Sequence, residues 1–532
     1  MQINVVFWNE TIVNCRYFST FAAIFVLESK TNAFIEYQMV VNSLVFLLFF
    51  TLVFAVYYIP VGKNSPKLQN IWLLLASYFF YGFADWRLIL LLVGTTAVFY
   101  VIGLWLNAEM KRQNTQKASI ITTLGVLLGV GVLFYFKYLN FFADSFAQLL
   151  KAIGFNVSWA TLNIVLPIGV SFFTFKLISY VIEIHRERIE VCDDMVEFAL
   201  YIAFFPTILS GPIDRPNKFL PQLRYYHSFD YHLAVDGCRQ ILWGMFTKMC
   251  IADNLSVAVD YVWDDYSSQS AMALTIAALL YPIQMYADFD GYSNMAIGVG
   301  KLLGFRVTRN FNHPFLARNP AEYWRRWHIS LTTWITEYIF MPLNIAFRRL
   351  DKVGIILATT INMVVIGLWH GANWTYVFFG LYYGILYIPL ILDGSFAKSK
   401  KLRPGFKGFP KFSDFYKMVC NFVLVAIGLI IFRAPSLHDS WQYLMSVITL
   451  NNGLHMGVLG SMIISNIWIY LFVIIILVLE WTTRDKEHPL QLAVNGLFKF
   501  RYMRWSLYFL ICILLFFYTN PGASQDFIYF QF

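Results

Sequence analysis

The sequence predicts an all-α polytopic membrane protein. Three observations carry that prediction. The 532-residue chain is 58% hydrophobic and only 13% charged, with a mean hydropathy of +0.58, whereas soluble domains are about half apolar and about a quarter charged. Apolar runs recur along the chain at lengths suited to membrane helices. Lysine and arginine gather in the short segments between those runs, as topology requires. Phe and Tyr number 52 and 32, rings suited to bilayer interfaces and polar-tipped cavity walls.

Clear apolar runs that could span include Leu44 to Ile59, Leu88 to Leu106, Ile120 to Phe136, Ile355 to Trp369, Tyr376 to Leu392, Val419 to Phe432, Ile463 to Leu479 and Trp505 to Tyr518. Several fall short of the ~20 residues of a straight span. Flanking residues complete them, or they are half-helices. In the middle third, LPIGVSFFTF (Leu166 to Phe175) and FFPTILSGPIDRP (Phe204 to Pro216) mix apolar residues with Gly and Pro. Such backbone is tolerated at membrane depth only where protein or a cavity covers it, so broken or re-entrant helices around a buried site are expected. Lys63 and Lys67 follow the first span; Lys111, Arg112 and Lys117 follow the third. Both loops are assigned to the cytoplasm. Arg348, Arg349 and Lys352 precede the fourth run and Lys398 to Lys411 follow the fifth. These two runs therefore form a hairpin that leaves the cytoplasm and returns to it. Arg501 and Arg504 put the C-terminus outside. Met1 to Gln38 hold neither a spanning run nor a convincing cleavable signal, and a natural start is expected at Met39, with the membrane domain covering 39–532.

The hairpin turn carries the chemistry. His370 stands in GLWHGANWTYVFFGLYYG (Gly367 to Gly384), between Trp369 and Trp374. An ionisable group facing lipid costs roughly 2.5 kcal/mol or more, so His370 should face a cavity or a partner. A second histidine, His328, follows the basic cluster Arg306, Arg309, Arg318, Arg325 and Arg326, and the charge pattern puts it at the cytoplasmic end. Asp288 and Asp290 in ADFDGYSN are unusual in an apolar setting; they are expected to orient a histidine or pair with an arginine. Six cysteines lie scattered, with no spacing for zinc or a disulfide framework. No P-loop or dinucleotide fingerprint is present. No metal, tightly bound cofactor or nucleic-acid partner is expected.

YPIQMYADFDGYSNMAIGVGKLLGF (Tyr281 to Phe305), NFNHPFLARNPAEYWRRWHISLTTW (Asn310 to Trp334) and the WHGANW run resemble the membrane-bound O-acyltransferase (MBOAT) family, in its bacterial branch that includes the alginate O-acetylation membrane subunit. LPIGVSFFTF, GMFTKMCIADNL (Gly244 to Leu255) and the terminal FIYFQF match the same branch. The likeness covers essentially Met39 to Phe532. It implies a ring of tilted helices with re-entrant segments around a central tunnel. The family's two characteristic histidines correspond to His328 and His370. Many alginate-type members carry an Arg-Asp pair where this chain has Thr336-Glu337, a departure that bears on substrate rather than reaction class.

The resemblance implies an O-acyltransferase of the bacterial inner membrane, expected to be an acetyltransferase. It would take an acyl group from a cytoplasmic thioester, acetyl-CoA or an acyl carrier protein, and pass it across the bilayer to an exported polysaccharide through an extracytoplasmic SGNH-type transferase. An imidazole with pKa near 6.5 suits general-base work at neutral pH, so His370 is assigned as base and His328 as the group that positions or polarises the donor. Arg325 and Arg326 are expected to bind the donor, Asn373 to hydrogen-bond the thioester oxygen, and Trp369 and Trp374 to wall the tunnel. Phe527, Tyr529 and Phe532 form an FxYxxF tail like a motif in partner peptides of the family's D-alanylation systems. Tyr529 is the candidate transient acyl carrier, held at the outer mouth. Two alternatives stay open: D-alanyl transfer to a wall polymer, and a polysaccharide or lipid transporter, whose charged groups would line a continuous polar path.

Overall fold

The computed structural model describes residues 39–59, 65–83, 85–155, 166–396, 409–492, 496–519 and 527. These residues form helices and loops, with no β-strand among them. Met1 to Gln38, Tyr529 and Phe532 lie outside the described residues.

Helices α1 (Leu44–Tyr57), α2 (Pro66–Gly82) and α3 (Arg87–Lys111) are followed by α4 (Thr115–Leu133), which runs through a π-helical turn, Phe134–Tyr138, into α5 (Leu139–Ala152). At 14 residues and ~1.5 Å per residue, α1 reaches only ~21 Å, short of the ~30 Å hydrocarbon core. The middle third is broken as its Gly and Pro predict. It contains α6 (Val170–His185), α7 (Met195–Ala203), the four-residue α8 (Phe205–Ile208) and α9 (Pro216–Leu223). All four α8 residues are buried, so protein covers this irregular backbone. Gly169 opens α6 at φ +77°, and a Cβ there would meet the Ile208 carbonyl oxygen at 2.5 Å. Glycine alone lets the LPIG turn rest on α8.

Next come α10 (Tyr231–Met245), a π-helical stretch Phe246–Ala252, α11 (Asp253–Asp264) and the 32-residue α12 (Ala271–Leu302). Helix α12 adds a candidate span to the clear apolar runs. It is long and apolar enough to cross a membrane, yet Asp288, Asp290, Ser293 and Asn294 interrupt its apolar text. Those groups are tolerable because 72% of its most apolar stretch is buried inside the protein, against 6% for the last helix. The remaining elements are α13 (Pro320–Trp324), α14 (Ile329–Ile335), a π-helical turn Thr336–Phe340, α15 (Met341–Ala346), α16 (Asp351–His370), α17 (Trp374–Leu392), α18 (Phe412–Arg433), α19 (Leu437–Ile448), α20 (Gly457–Ser465), α21 (Ile467–Thr482) and α22 (Arg501–Tyr518). Among the described residues seven helices are long and apolar enough to cross a membrane, or eight when α20 and α21, bent by 77°, count as one.

Helix α12 packs on α10, α11 and α18, while α16 packs along α17. The α10–α12 crossing is close: a Cβ on Gly291 would stand 2.8 Å from the Gly244 carbonyl oxygen. Lys248 sits in the same crossing, bonded to Asp253 at 2.6 Å and Asp288 at 2.5 Å. Asp288 therefore pairs with a lysine.

Gly291→Ala is expected to destabilise the protein by about 1–3 kcal/mol through overpacking, read as a lower thermal unfolding midpoint in detergent. An unchanged midpoint would mean that the two helices are not held at glycine distance.

Candidate functional site: two histidines around Trp369

Helices α16 and α17 form the expected hairpin. The Lys352 ammonium at its basic end bonds the Leu392 carbonyl at 2.7 Å, and His370 is the last residue of α16 at the opposite end. Asn373 opens α17: its side-chain oxygen accepts from the Thr375 amide at 3.1 Å, and its NH2 donates to the Pro435 carbonyl at 3.0 Å. Asn373 is thus a cap that fixes the turn, an ordinary role for Asn at this position.

His328 is placed by a different device. It precedes α14 at φ +46°, a left-handed conformation uncommon for any residue with a side chain. Two backbone hydrogen bonds tie its loop to the NFNHPF segment: Asn312 N–H to the Arg326 carbonyl at 2.9 Å, and Ile329 N–H to the Asn310 carbonyl at 2.8 Å. The Asn310 side chain accepts from the Ser330 hydroxyl at 2.6 Å and donates to Ser293 of α12 at 3.0 Å. Strain of this kind persists only where its surroundings over-determine it.

The result is a cluster of rings. Trp369 lies 5.4 Å from His328 and 5.1 Å from His370 between ring centroids. Phe172 and Phe175 of α6 pack on the same indole at 5.3 and 6.2 Å. Phe175 also stacks on Trp334 at 3.9 Å, whose indole N–H donates to the Phe175 carbonyl. Both histidines are buried, His328 completely. The charge pattern had put them at opposite ends. The left-handed turn after Trp327 instead carries His328 inward to the hairpin's turn.

Cavities flank this cluster. One, of about 950 Å³, runs along α16 past Thr359, Met363 and Ile366 and is lined at its polar side by Arg186, Arg188, Arg325 and Glu337. Glu337 accepts from Arg188 and, at 3.2 Å, from Arg215, so the acid that replaces the expected Arg-Asp pair is neutralised by arginines. The other cavity, of about 130 Å³, is lined by Gly169, Ser171, Phe172, Lys137, Trp369 and His370, among others.

Several expected members lie elsewhere. Arg325 lines the large cavity and donates to the Phe396 carbonyl at 3.1 Å. Arg326 points away, to Glu322 and the Asn312 carbonyl at 3.0 and 3.2 Å, because Glu322 captures it one helical turn back. Trp374 is 49% exposed and packs on Phe141; it lines neither cavity, since α17 turns that face outward. Asp290 bonds Asn294 at 2.8 Å in a separate polar pocket with Arg309, His313 and Glu480, with no histidine of the pair beside it there. Of the tail, Phe527 is described. It is buried, stacked on Tyr292 at 4.7 Å and 5.7 Å from Phe289, which meets His328 edge-on at 4.7 Å. Phe527 itself thus lies in the core, one ring away from His328.

Lys137 is the site residue that motif reasoning overlooked. Its ammonium bonds the Trp369 and His370 carbonyls at 2.6 and 2.9 Å. The signal was present: one lysine in the apolar run FYFKYLNFF, at a depth where charges are rare and have partners.

A buried pair of imidazoles, one of them in a residue that lines a small cavity, stands in a bundle of helices long and apolar enough to cross a membrane. Comparison with known proteins supplies the chemistry. Residues 187–407, which include both histidines, match the model of the MBOAT, membrane-bound O-acyltransferase family. The chain is 36% identical over 408 residues to the probable alginate O-acetylase AlgI of Pseudomonas aeruginosa, covering 76% of this chain and 74% of that one. It is 29% identical over 441 residues to a peptidoglycan O-acetyltransferase of Helicobacter pylori, covering 76% and 80%. It is 30% identical over 294 residues to a teichoic acid D-alanyltransferase of Streptococcus thermophilus, covering 52% and 69%. The chain belongs to the membrane-bound O-acyltransferase family and is an O-acyltransferase.

The two arginines should separate. Arg325→Ala is expected to raise the apparent KM for an anionic acyl donor such as acetyl-CoA several-fold, with a wild-type KM that rises with salt. Arg326→Ala should act through stability instead, leaving KM near wild type. Equal KM effects would show that the cavity arginine has no special place in donor binding.

Proposed function

We propose that this protein moves an acetyl group from a cytoplasmic thioester across the bacterial inner membrane for O-acetylation of an exported polysaccharide. The observation that carries the reading is the placement of His370: it lines the small cavity, while the helix it ends forms a wall of the large one. A donor thioester in the large cavity would present its carbonyl to the ring cluster. The arginine-lined side suits the phosphates of a nucleotide-bearing thioester or the acidic face of a carrier protein.

Acyl transfer needs a base to take the acceptor hydroxyl's proton and a donor of hydrogen bonds for the oxyanion. His370 takes the first task. His328, held rigidly by its strained turn, positions the donor carbonyl. The acceptor oxygen attacks the thioester carbon, the carbon–sulfur bond breaks, and the thiol leaves with the proton returned by the imidazole. Tyr529 is the proposed first acceptor. A phenol of pKa ~10 is deprotonated more easily than a sugar alcohol and leaves more readily in a second transfer. Phe527, two residues before it, is anchored beside Phe289 and Tyr292, which supports a tail that reaches the chamber. An extracytoplasmic SGNH-type transferase would then carry the group to the polymer. The relatives that act as O-acetylases or O-acetyltransferases align over three quarters of this chain, which favours acetyl transfer over D-alanyl transfer.

His370→Ala is expected to lower acyl transfer by about 10²–10⁴-fold at normal membrane levels. Retention of more than about a tenth of the rate would remove His370 from the role of base. Tyr529→Phe should abolish polymer acylation while the protein still accumulates, and intact-mass analysis of cells lacking the downstream transferase should find an acylated Tyr529. An active Tyr529→Phe protein with an unmodified tail would leave the tail as an anchor only.

A further inference from the structure

Helix α16 ends without the usual device. Helices commonly close on a left-handed glycine that returns N–H groups to the last carbonyls. Gly371 follows His370 but is fully extended, at φ −169° and ψ 164°, and a Cβ there would collide with the Tyr376 ring at 2.2 Å. The chain leaves the helix at once, and its last carbonyls must find donors elsewhere. They find them on one π-helical turn, Phe134–Tyr138, of the neighbouring span. The Tyr138 hydroxyl donates to the Leu368 carbonyl at 2.8 Å. Lys137 donates to the next two, those of Trp369 and His370. Three consecutive carbonyls are satisfied by two consecutive side chains. The wider winding of a π turn, a feature found mostly at functional sites, brings both to the same helix end.

Charge favours this arrangement. The C-terminus of a helix carries about half a negative charge, and a cation there is stabilising. An ammonium at membrane depth needs acceptors, and it has them here. The Lys137 ammonium also stands 5.8 Å from the Trp369 ring centroid and lines the 130 Å³ cavity together with His370. It therefore grips the backbone of both residues on which the ring cluster is built.

We infer that Lys137 is a positioning residue for His370: by binding the Trp369 and His370 carbonyls it ends α16 at the histidine and sets the direction of the imidazole beside the small cavity that both residues line. This rests on the reading of His370 as the base. With the ammonium gone, the last turn frays, the imidazole samples other rotamers, and the fraction of time spent in the reactive geometry falls. The donor cavity, lined farther back along α16, is untouched. The loss should therefore appear in kcat and not in donor KM.

The test measures acetyl transfer from acetyl-CoA in membrane vesicles holding the full-length protein, with Lys137→Met, Lys137→Arg, Tyr138→Phe and His370→Ala compared at matched protein levels. Lys137→Met is expected to lower kcat by about tenfold or more with KM changed by less than about twofold. Lys137→Arg, whose planar fork can span both carbonyls, should recover much of the rate. Tyr138→Phe, which loosens the same helix end but removes no donor to Trp369 or His370, should lose less than about threefold. A Lys137→Met protein with kcat within about twofold of wild type, or equal losses in Lys137→Met and Tyr138→Phe, would overturn the inference. If the methionine variant does not accumulate, Lys137→Gln, which keeps one donor, decides: an intermediate kcat supports the role and a full kcat overturns it. An active His370→Ala protein would instead refute the assignment of the base, whereas an inactive one beside a fully active Lys137→Met would refute the positioning role alone.

Discussion

A charge withdrawn from water must be met by protein, and most of what is unusual in this molecule follows from that constraint. An unpaired buried ion costs several kcal/mol even after relaxation, so each one dictates the position of its neighbours. Lys248 is answered by Asp253 and Asp288 and thereby ties the π-helical stretch after α10 to α12. Glu480 accepts from Tyr286 at 2.5 Å and stands 3.2 Å from His313, which joins α21 to the loop that leads towards His328. Lys176 donates to the Tyr201 carbonyl and Thr207 hydroxyl at 3.2 and 3.1 Å, holding α6 against α7 and α8. Lys137 is answered by the Trp369 and His370 carbonyls. The apolar residues set the membrane; these few polar contacts set the register of the helices within it.

The candidate site uses the same economy. His328 is placed by a left-handed turn and an asparagine-centred hydrogen-bond network, and His370 by the way its helix ends. Both solutions fix a side chain through its own backbone. That suits a chamber walled by aromatic rings, where an added carboxylate would itself need a partner.

Much of this was legible in the sequence. The apolar runs, the hairpin carrying His370 and the broken middle third all follow from composition and from the refusal of lipid to solvate backbone. The histidine pair followed from motif resemblance. What the text hid had physical reasons. Helix α12 escaped notice because its polar residues are solvated by other helices, so its hydropathy understates its burial. The position of His328 turned on one positive φ, which composition does not encode. Arg325 and Arg326 are adjacent letters, but a carboxylate one helical turn away takes the second and leaves the first to the cavity. Trp374 and Asn373 looked like site residues because they are near His370 in sequence; the extended Gly371 turns the chain and gives them to the rim and the cap.

The ring cluster around Trp369 also bears on what the bilayer must not lose. Phe172, Phe175, Trp334 and Trp369 pack face and edge against one another, and Phe172 and Trp369 line the small cavity. Stacked aromatics of this kind leave no room for a file of water, and a hydrated ion that entered would shed its shell with no ligands to replace it. A neutral acyl group a few atoms long carries no such penalty. Under the proposed transfer across the membrane, the same rings would hold the membrane potential while carbon crosses, so that an energised cell would not discharge itself each time it decorated its exterior.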